Sequence, residues 1–168
     1  MNLWLRVLWV YLRAFFGKRL EVLQTSIVRL RVFPNDLDSY GHVNNGRYLT
    51  LMDLGRLDLI IRTGMGRAAR QNRWSPLVGS VQIEYRKSLR PFQPFEVHTR
   101  VIGWDKKWFY MEQLFWCGKK QMARAIVKGL FRGPRHSVSP LHVLQMIGGP
   151  EESPMLPEEL VKSKINLF

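Results

Sequence analysis

The chain has 168 residues, 46% of them apolar, which suits one globular domain whose core needs no metal or disulfide staple. Its single cysteine, Cys117, excludes an internal disulfide framework and any paired-cysteine zinc or redox motif. Twenty-six Lys and Arg against thirteen Asp and Glu leave a formal charge of +13, so acidic partners are favoured: phosphate-bearing ligands, anionic lipid or nucleic acid.

The segment Leu3 to Phe16, LWLRVLWVYLRAFF, is apolar except for Arg6 and Arg13. As a helix it would be about 21 Å long, short of the roughly 30 Å hydrocarbon core of a bilayer. Asn2, Arg6 and Arg13 fall within about 40° of one another on a helical wheel, one narrow polar stripe. Two readings stay open. The helix could lie in a membrane interface, with Arg6 and Arg13 snorkelling to headgroups, Trp4, Trp9 and Phe15 in the acyl boundary, and Lys18 and Arg19 beside anionic lipid. Alternatively, it packs on the body of the protein or on a second subunit. A signal peptide is not expected, because an uninterrupted apolar centre and a small-residue cleavage site are both missing.

Residues 1–22 are therefore read as an amphipathic helix, 24–135 as the folded domain, and 136–168 as a Pro-rich tail with short helices. Within the domain, Val28, Leu30 and Val32 alternate with Arg29 and Arg31, a half-buried strand that Pro34 ends. Asn44 or Asn45 offers an N-cap for a helix running to about Thr63, with Gly64 as its stop. That helix is apolar on most of its circumference, which predicts burial, and Gly55 within it predicts a close backbone neighbour. From Leu77 onward the pattern is strands: Val81 to Arg86, Phe95 to Trp104, Trp108 to Cys117 and Gln121 to Arg132, with polar hairpin links at Asp105 to Lys107 and Gly118 to Lys120. The expected fold class is α+β, one long buried helix wrapped by an antiparallel sheet of about five strands.

The loop Phe33 to Tyr48, FPNDLDSYGHVNNGRY, is dense in polar groups for a link between two buried elements. Asp36, Asp38 and Gly41 match three positions of a calcium loop, but Tyr40 and Arg47 stand where it needs oxygen ligands, so calcium is rejected. No zinc spacing, nucleophile elbow or Walker loop occurs. No metal or cofactor is expected. The pattern D-x-D-x-x-G-H-V-N-N-x-x-Y, Asp36 to Tyr48, resembles the active-site segment of the 4-hydroxybenzoyl-CoA thioesterase branch of hotdog-fold proteins. Leu89 to Phe115 is similar to the thioesterase superfamily member 6 group within it. The resemblance implies a hotdog fold, a homodimer or dimer of dimers with sites at the subunit interface, and association with membranes.

It also implies hydrolysis of acyl-CoA or acyl-carrier-protein thioesters to free acid and thiol. Asp38 matches the family's carboxylate, nucleophile or general base. The N–H groups at the helix start near Asn44 and Asn45 can polarise the carbonyl. His42 either binds substrate or orients Asp38, or makes a structural hydrogen bond; Asn44 and Asn45 could be caps, and Tyr48 either contacts substrate or belongs to the core. Asp36 is expected to cap the turn. Seven bases, Arg62, Arg67, Arg70, Arg73, Arg86, Lys87 and Arg90, lie between Ile61 and Arg90 with Glu84 as the sole acid. Arg86 and Arg90 are taken as contacts for coenzyme A phosphates. Nucleic acid is not expected, since no RNP, KH or zinc motif accompanies the charge. The alternative function is a non-catalytic acyl-thioester-binding or membrane-peripheral protein, and the expected location is cytoplasmic, peripheral at a membrane through residues 1–17.

Overall fold

A computed structural model describes residues 3–157 and 160. Helix α1 (Leu3–Phe16) precedes strand β1 (Ser26–Arg31), a 3-10 turn (Pro34–Asp36), α2 (Asn45–Arg62) and α3 (Met65–Gln71). Strands β2 (Ser75–Tyr85), β3 (Pro94–Trp104), β4 (Phe109–Cys117) and β5 (Lys120–Arg132) follow, then β6 (Ser137–Val138) and α4 (Pro140–Ile147). The sheet is antiparallel throughout, in the order β1-β3-β4-β5-β2, with the short β6 on β5. It is the expected α+β arrangement of a sheet around one long helix. It has six strands rather than five, because two residues after Pro134 continue pairing. Val138, Val143 and Leu144 join the core, whereas 158–159 and 161–168 of the expected tail lie outside the described residues.

Alternation sets which side chains meet α2. In β3, Phe95, Val97, Thr99 and Val101 are buried while Arg100 is exposed. In α2, Tyr48, Leu51, Met52, Leu54 and Leu59 are buried, and Gly55 faces the sheet. Two corrections apply to this helix. Its buried face also carries Arg56 and Asp58, so it is not uniformly apolar. The neighbour at Gly55 is a side-chain cluster, not a backbone: an added Cβ would lie 2.4 Å from Thr99 Oγ1, 3.0 Å from Gln113 Nε2 and 3.0 Å from Val97 Cγ1. Gln113 Nε2 donates to Thr99 Oγ1 (2.9 Å) and to Met52 O (3.0 Å), and Arg56 Nη1 donates to Gln113 Oε1 (2.6 Å). These bonds satisfy polar groups that burial would otherwise penalise, and they hold α2 at a set depth in the sheet.

Helix α1 packs against α2 the opposite way round from the membrane-interface expectation. Arg6 and Arg13 turn inward, toward the buried carboxylates of Asp36 and Asp58; Asn2 lies outside the described residues. The cause is electrostatic: a carboxylate removed from water demands a cation, and these two demands outweigh hydration of the arginines. Arg6 meets Asp36 through two hydrogen bonds, whereas Arg13 Nη1 and Asp58 Oδ1 stand 3.9 Å apart and Arg13 also donates to Ile27 O (2.9 Å). Asp58 takes further bonds from Ser26 Oγ (2.6 Å) and Arg62 Nη1 (3.3 Å). The apolar face therefore points out: Trp4, Leu5, Leu8, Leu12, Phe15 and Phe16 are all exposed.

Gly55→Ala gains roughly 0.5–1 kcal/mol of helix propensity but forces a Cβ into the Thr99 hydroxyl. Overpacking a tight core costs about 1–3 kcal/mol, so the variant is expected to unfold at lower urea than wild type. A midpoint at or above wild type would show that the contact yields freely.

Candidate active site

The polar loop begins where β1 ends. Asp36 closes the 3-10 turn and its Oδ2 accepts the Phe33 amide (2.9 Å), the capping role expected of it. The chain then doubles back: the Asn44 amide donates to Asp36 O (2.9 Å), Leu37 bridges Val43, and the Asp38 amide donates to His42 O (2.8 Å). The result is a miniature hairpin with Ser39, Tyr40 and Gly41 at its tip. Gly41 supplies the positive φ, 73°, that so tight a tip requires. Asp38 is half-buried. Its Oδ1 accepts the amides of Tyr40 (2.9 Å) and His42 (3.3 Å), an Asx turn, while Oδ2 has no hydrogen-bond partner among the described residues.

Helix α2 starts directly after this hairpin. Asn44 is its N-cap, with Oδ1 accepting the Gly46 amide at 2.9 Å. The amides of Val43 and Asn44 are engaged, by Leu89 O (3.0 Å) and Asp36 O. That of Asn45 has no partner among the described residues, which narrows the expected carbonyl-polarising group to one amide at the positive end of the helix. Tyr85 Oη donates to Asn45 O (2.9 Å), and Leu89 O meets Val43, so the connection from β2 to β3 runs beside the hairpin.

The other expected residues sort by their surroundings. His42 is half-buried and reaches Asp38 through its backbone; its ring makes no hydrogen bond among the described residues. Tyr48 is 2% exposed, edge-on to Tyr85 (5.2 Å) and Phe115 (4.9 Å). Burial raises its pKa, the Leu89 backbone hydrogen bond lowers it less, and Tyr85 raises it further, so the phenol stays protonated at neutral pH. These surroundings place Tyr48 in the core. Arg90 is exposed one residue beyond Leu89. Arg86 is also exposed, held by Glu84 and by Gln121 Oε1 (2.8 Å).

The seven bases contiguous in sequence divide in space. Arg67, Arg70 and Arg73 lie on and after α3 at the start of β2, while Arg86, Lys87 and Arg90 follow its other end; Arg62 turns to Asp58 and Lys18 O. Two features had no linear signal. A cavity of about 220 Å³ lies between α2 and the sheet, lined by Leu57, Ile60, Leu77, Met111 and Phe131, with Asp53 and Arg56 as its charged residues. Beneath the hairpin, Asp36 is fully buried and shared between Arg6 and Arg47, whose Nε lies 3.2 Å from Oδ1. No cluster of three or more metal-ligating side chains occurs among the described residues.

Residues 32–160 match the family model described as thioesterase-like superfamily. The chain belongs to that superfamily. It is 42% identical over 112 residues to Protein THEM6 of Danio rerio, covering 66% of this chain and 55% of that protein. To Protein THEM6 of Xenopus laevis it is 38% identical over 133 residues, covering 77% and 62%. The chain thus spans little more than half the length of these relatives. The crystal structure of a 1,4-dihydroxy-2-naphthoyl-CoA thioesterase from Synechocystis superposes with a TM-score of 0.64 at 12% identity, covering 74% of this chain and 95% of that one. That likeness shows the hotdog fold of this superfamily member.

Proposed function

We propose that this superfamily member hydrolyses an acyl-CoA or acyl-carrier-protein thioester to free acid and thiol. The observation that carries the reading is the Asp38 hairpin joined directly to the N-terminus of α2, which supplies a carboxylate oxygen and a helix-start amide that both lack a partner among the described residues. A thioester carbonyl oxygen held at the Asn45 amide gains electrostatic stabilisation as it becomes an oxyanion. Asp38 then either attacks the carbonyl carbon, expelling thiolate and leaving an anhydride that water hydrolyses, or takes a proton from the water that attacks. Both routes consume one water and return acid and thiol. Arg90, next to the Leu89 that meets Val43, and the exposed Arg86 suit the phosphates of coenzyme A; the cavity along α2 suits an acyl group.

Two finer readings accompany this one. Strand β2 pairs with β5 on one edge only, and nearly all of its eleven residues are exposed, Leu77 and Val78 included. So long an apolar edge invites pairing with a second copy, which supports a homodimer. The outward face of α1 supports peripheral attachment to an anionic bilayer, with Trp4, Leu8 and Phe15 entering the interface and Lys18 and Arg19 adjoining it. No helix among the described residues is long and apolar enough to cross a membrane.

Three measurements test these readings. Asp38→Asn should lower kcat on acyl-CoA by about 10² or more with the fold retained, while Asp36→Asn should lower the melting temperature. Wild-type turnover by Asp38→Asn would remove Asp38 from the chemistry, whereas no thiol release by the wild type would leave a binding protein. Light scattering should give two or four times the 19.8 kDa chain mass, a dimer or a dimer of dimers, and an active monomer would contradict both. Full-length protein should float with anionic liposomes, and deletion of residues 1–17 should abolish flotation; equal flotation of the truncated form would move the contact elsewhere.

A further inference from the structure

Arg6 is the largest fully buried side chain of the described residues, yet it comes from a helix outside the segment that matches the superfamily. Its contacts are not spread over the protein. Nη1 donates to Asp36 Oδ1 (3.0 Å), Nη2 donates to Asp36 Oδ2 (2.5 Å) and to Arg31 O (3.2 Å), and the guanidinium lies 5.2 Å from the Phe33 ring centre. All three partners belong to the six residues that lead from the end of β1 into the Asp38 hairpin.

Asp36 in turn is the foot of that hairpin. Its carbonyl accepts the Asn44 amide, its carboxylate accepts the Phe33 amide, and Arg47 in the first turn of α2 shares Oδ1 while donating to Asn35 O (3.2 Å). The same residue therefore anchors the hairpin's first strand, its return strand and the start of α2. Two parallel hydrogen bonds from a planar fork fix the plane of a carboxylate as well as its position, which a single ammonium does not do.

We propose that Arg6 is a positioning residue for the Asp38 hairpin, so that α1 is part of the architecture of the candidate active site. This rests on the reading of Asp38 as the catalytic carboxylate. Arg6 is separated from the hairpin tip by Asp36, so it acts through that carboxylate. Its loss lets the hairpin and the Asn45 amide drift relative to each other. Misplacement of reacting groups by about 1 Å from a remote change can cost as much as 10²-fold in rate, and it falls on the chemical step. Substrate contacts at Arg86 and Arg90 stay in place, so KM should hold.

The test compares wild type, Arg6→Lys and Arg6→Met in full-length protein, by acyl-CoA thiol release and by backbone hydrogen exchange. Expected for Arg6→Met is a fall in kcat of roughly tenfold or more with KM within about twofold. Arg6→Lys should lie between the two. Exchange should quicken at the amides of His42, Val43 and Asn44 by more than in β3 and β4, where it rises only with the loss of global stability. An unchanged kcat with unchanged hairpin exchange overturns the proposal. So does uniform faster exchange with kcat falling only as the folded fraction falls. If Arg6→Met does not fold, Arg6→Lys decides by the same two readings. If wild type releases no thiol, the hydrolase reading fails, and hairpin exchange alone then decides whether Arg6 holds the loop.

Discussion

Two carboxylates stripped of water, Asp36 and Asp58, govern how this protein is put together. An isolated buried carboxylate is too costly to keep ionised, and pairing offsets that cost only when geometry is good and the remaining lone pairs are filled. Asp36 gets its cations from Arg6 and Arg47 and an amide from Phe33; Asp58 Oδ2 gets Arg62 and Ser26, while its Oδ1 stands 3.9 Å from Arg13 Nη1 with no hydrogen bond among the described residues. In each case one cation comes from α2 and one from α1. Ionic demand thus decides which face of α1 turns inward. Removing one member of such a buried pair typically costs about 3–5 kcal/mol, a large part of a small domain's stability.

The interface of α2 with the sheet follows a related logic with neutral groups. Gly55 brings the helix close enough for Gln113 to reach Met52 O, and Thr99 fills the other side. Arg56 continues the network outward to Asp53 at the edge of the cavity. Burial pulls the Arg56 pKa below its usual value, the Asp53 charge and hydrogen bond oppose that, and the guanidinium remains charged. The network therefore ends at a charged pair on the lining of an otherwise largely apolar cavity.

Much of this was legible in the amino-acid order because it depends on neighbours in sequence. Alternation in Phe95 to Val101, the capping Asn44 and the stop at Gly64 are local signals, and the elements form where they point. The stretch from Asp36 to Tyr48 stood out as a candidate site for the same reason: its polar groups are concentrated in thirteen residues. What stayed hidden depends on residues far apart. Arg6 in an apolar helix reads as a headgroup contact until Asp36, thirty residues on, is known to lie beneath it. Arg67 and Arg86 read as one basic patch until β2 is seen to run between them. Tyr48, three residues into α2, carries no local mark of whether its face is turned to Phe115 or to a substrate.

The inverted seating of α1 bears on what its outer face is free to do. An amphipathic helix usually holds to its own protein by its apolar stripe, and must release that stripe before a bilayer can take it. Here α1 is held by Arg6 and Arg13, together with the few small residues beside them, Val10 and Ala14. Trp4, Leu8, Leu12, Phe15 and Phe16 take little part in the attachment. A run of large apolar side chains left in water is unfavourable for a lone protein, and burying each in an apolar phase would gain about 1.5–3 kcal/mol. Nothing would have to come apart to collect that gain. Because the same helix grips the foot of the Asp38 hairpin from its other side, contacts made by the outer face would not compete with the inner ones. The two stripes of α1 are thus separate: one pairs with buried carboxylates, and the other is exposed.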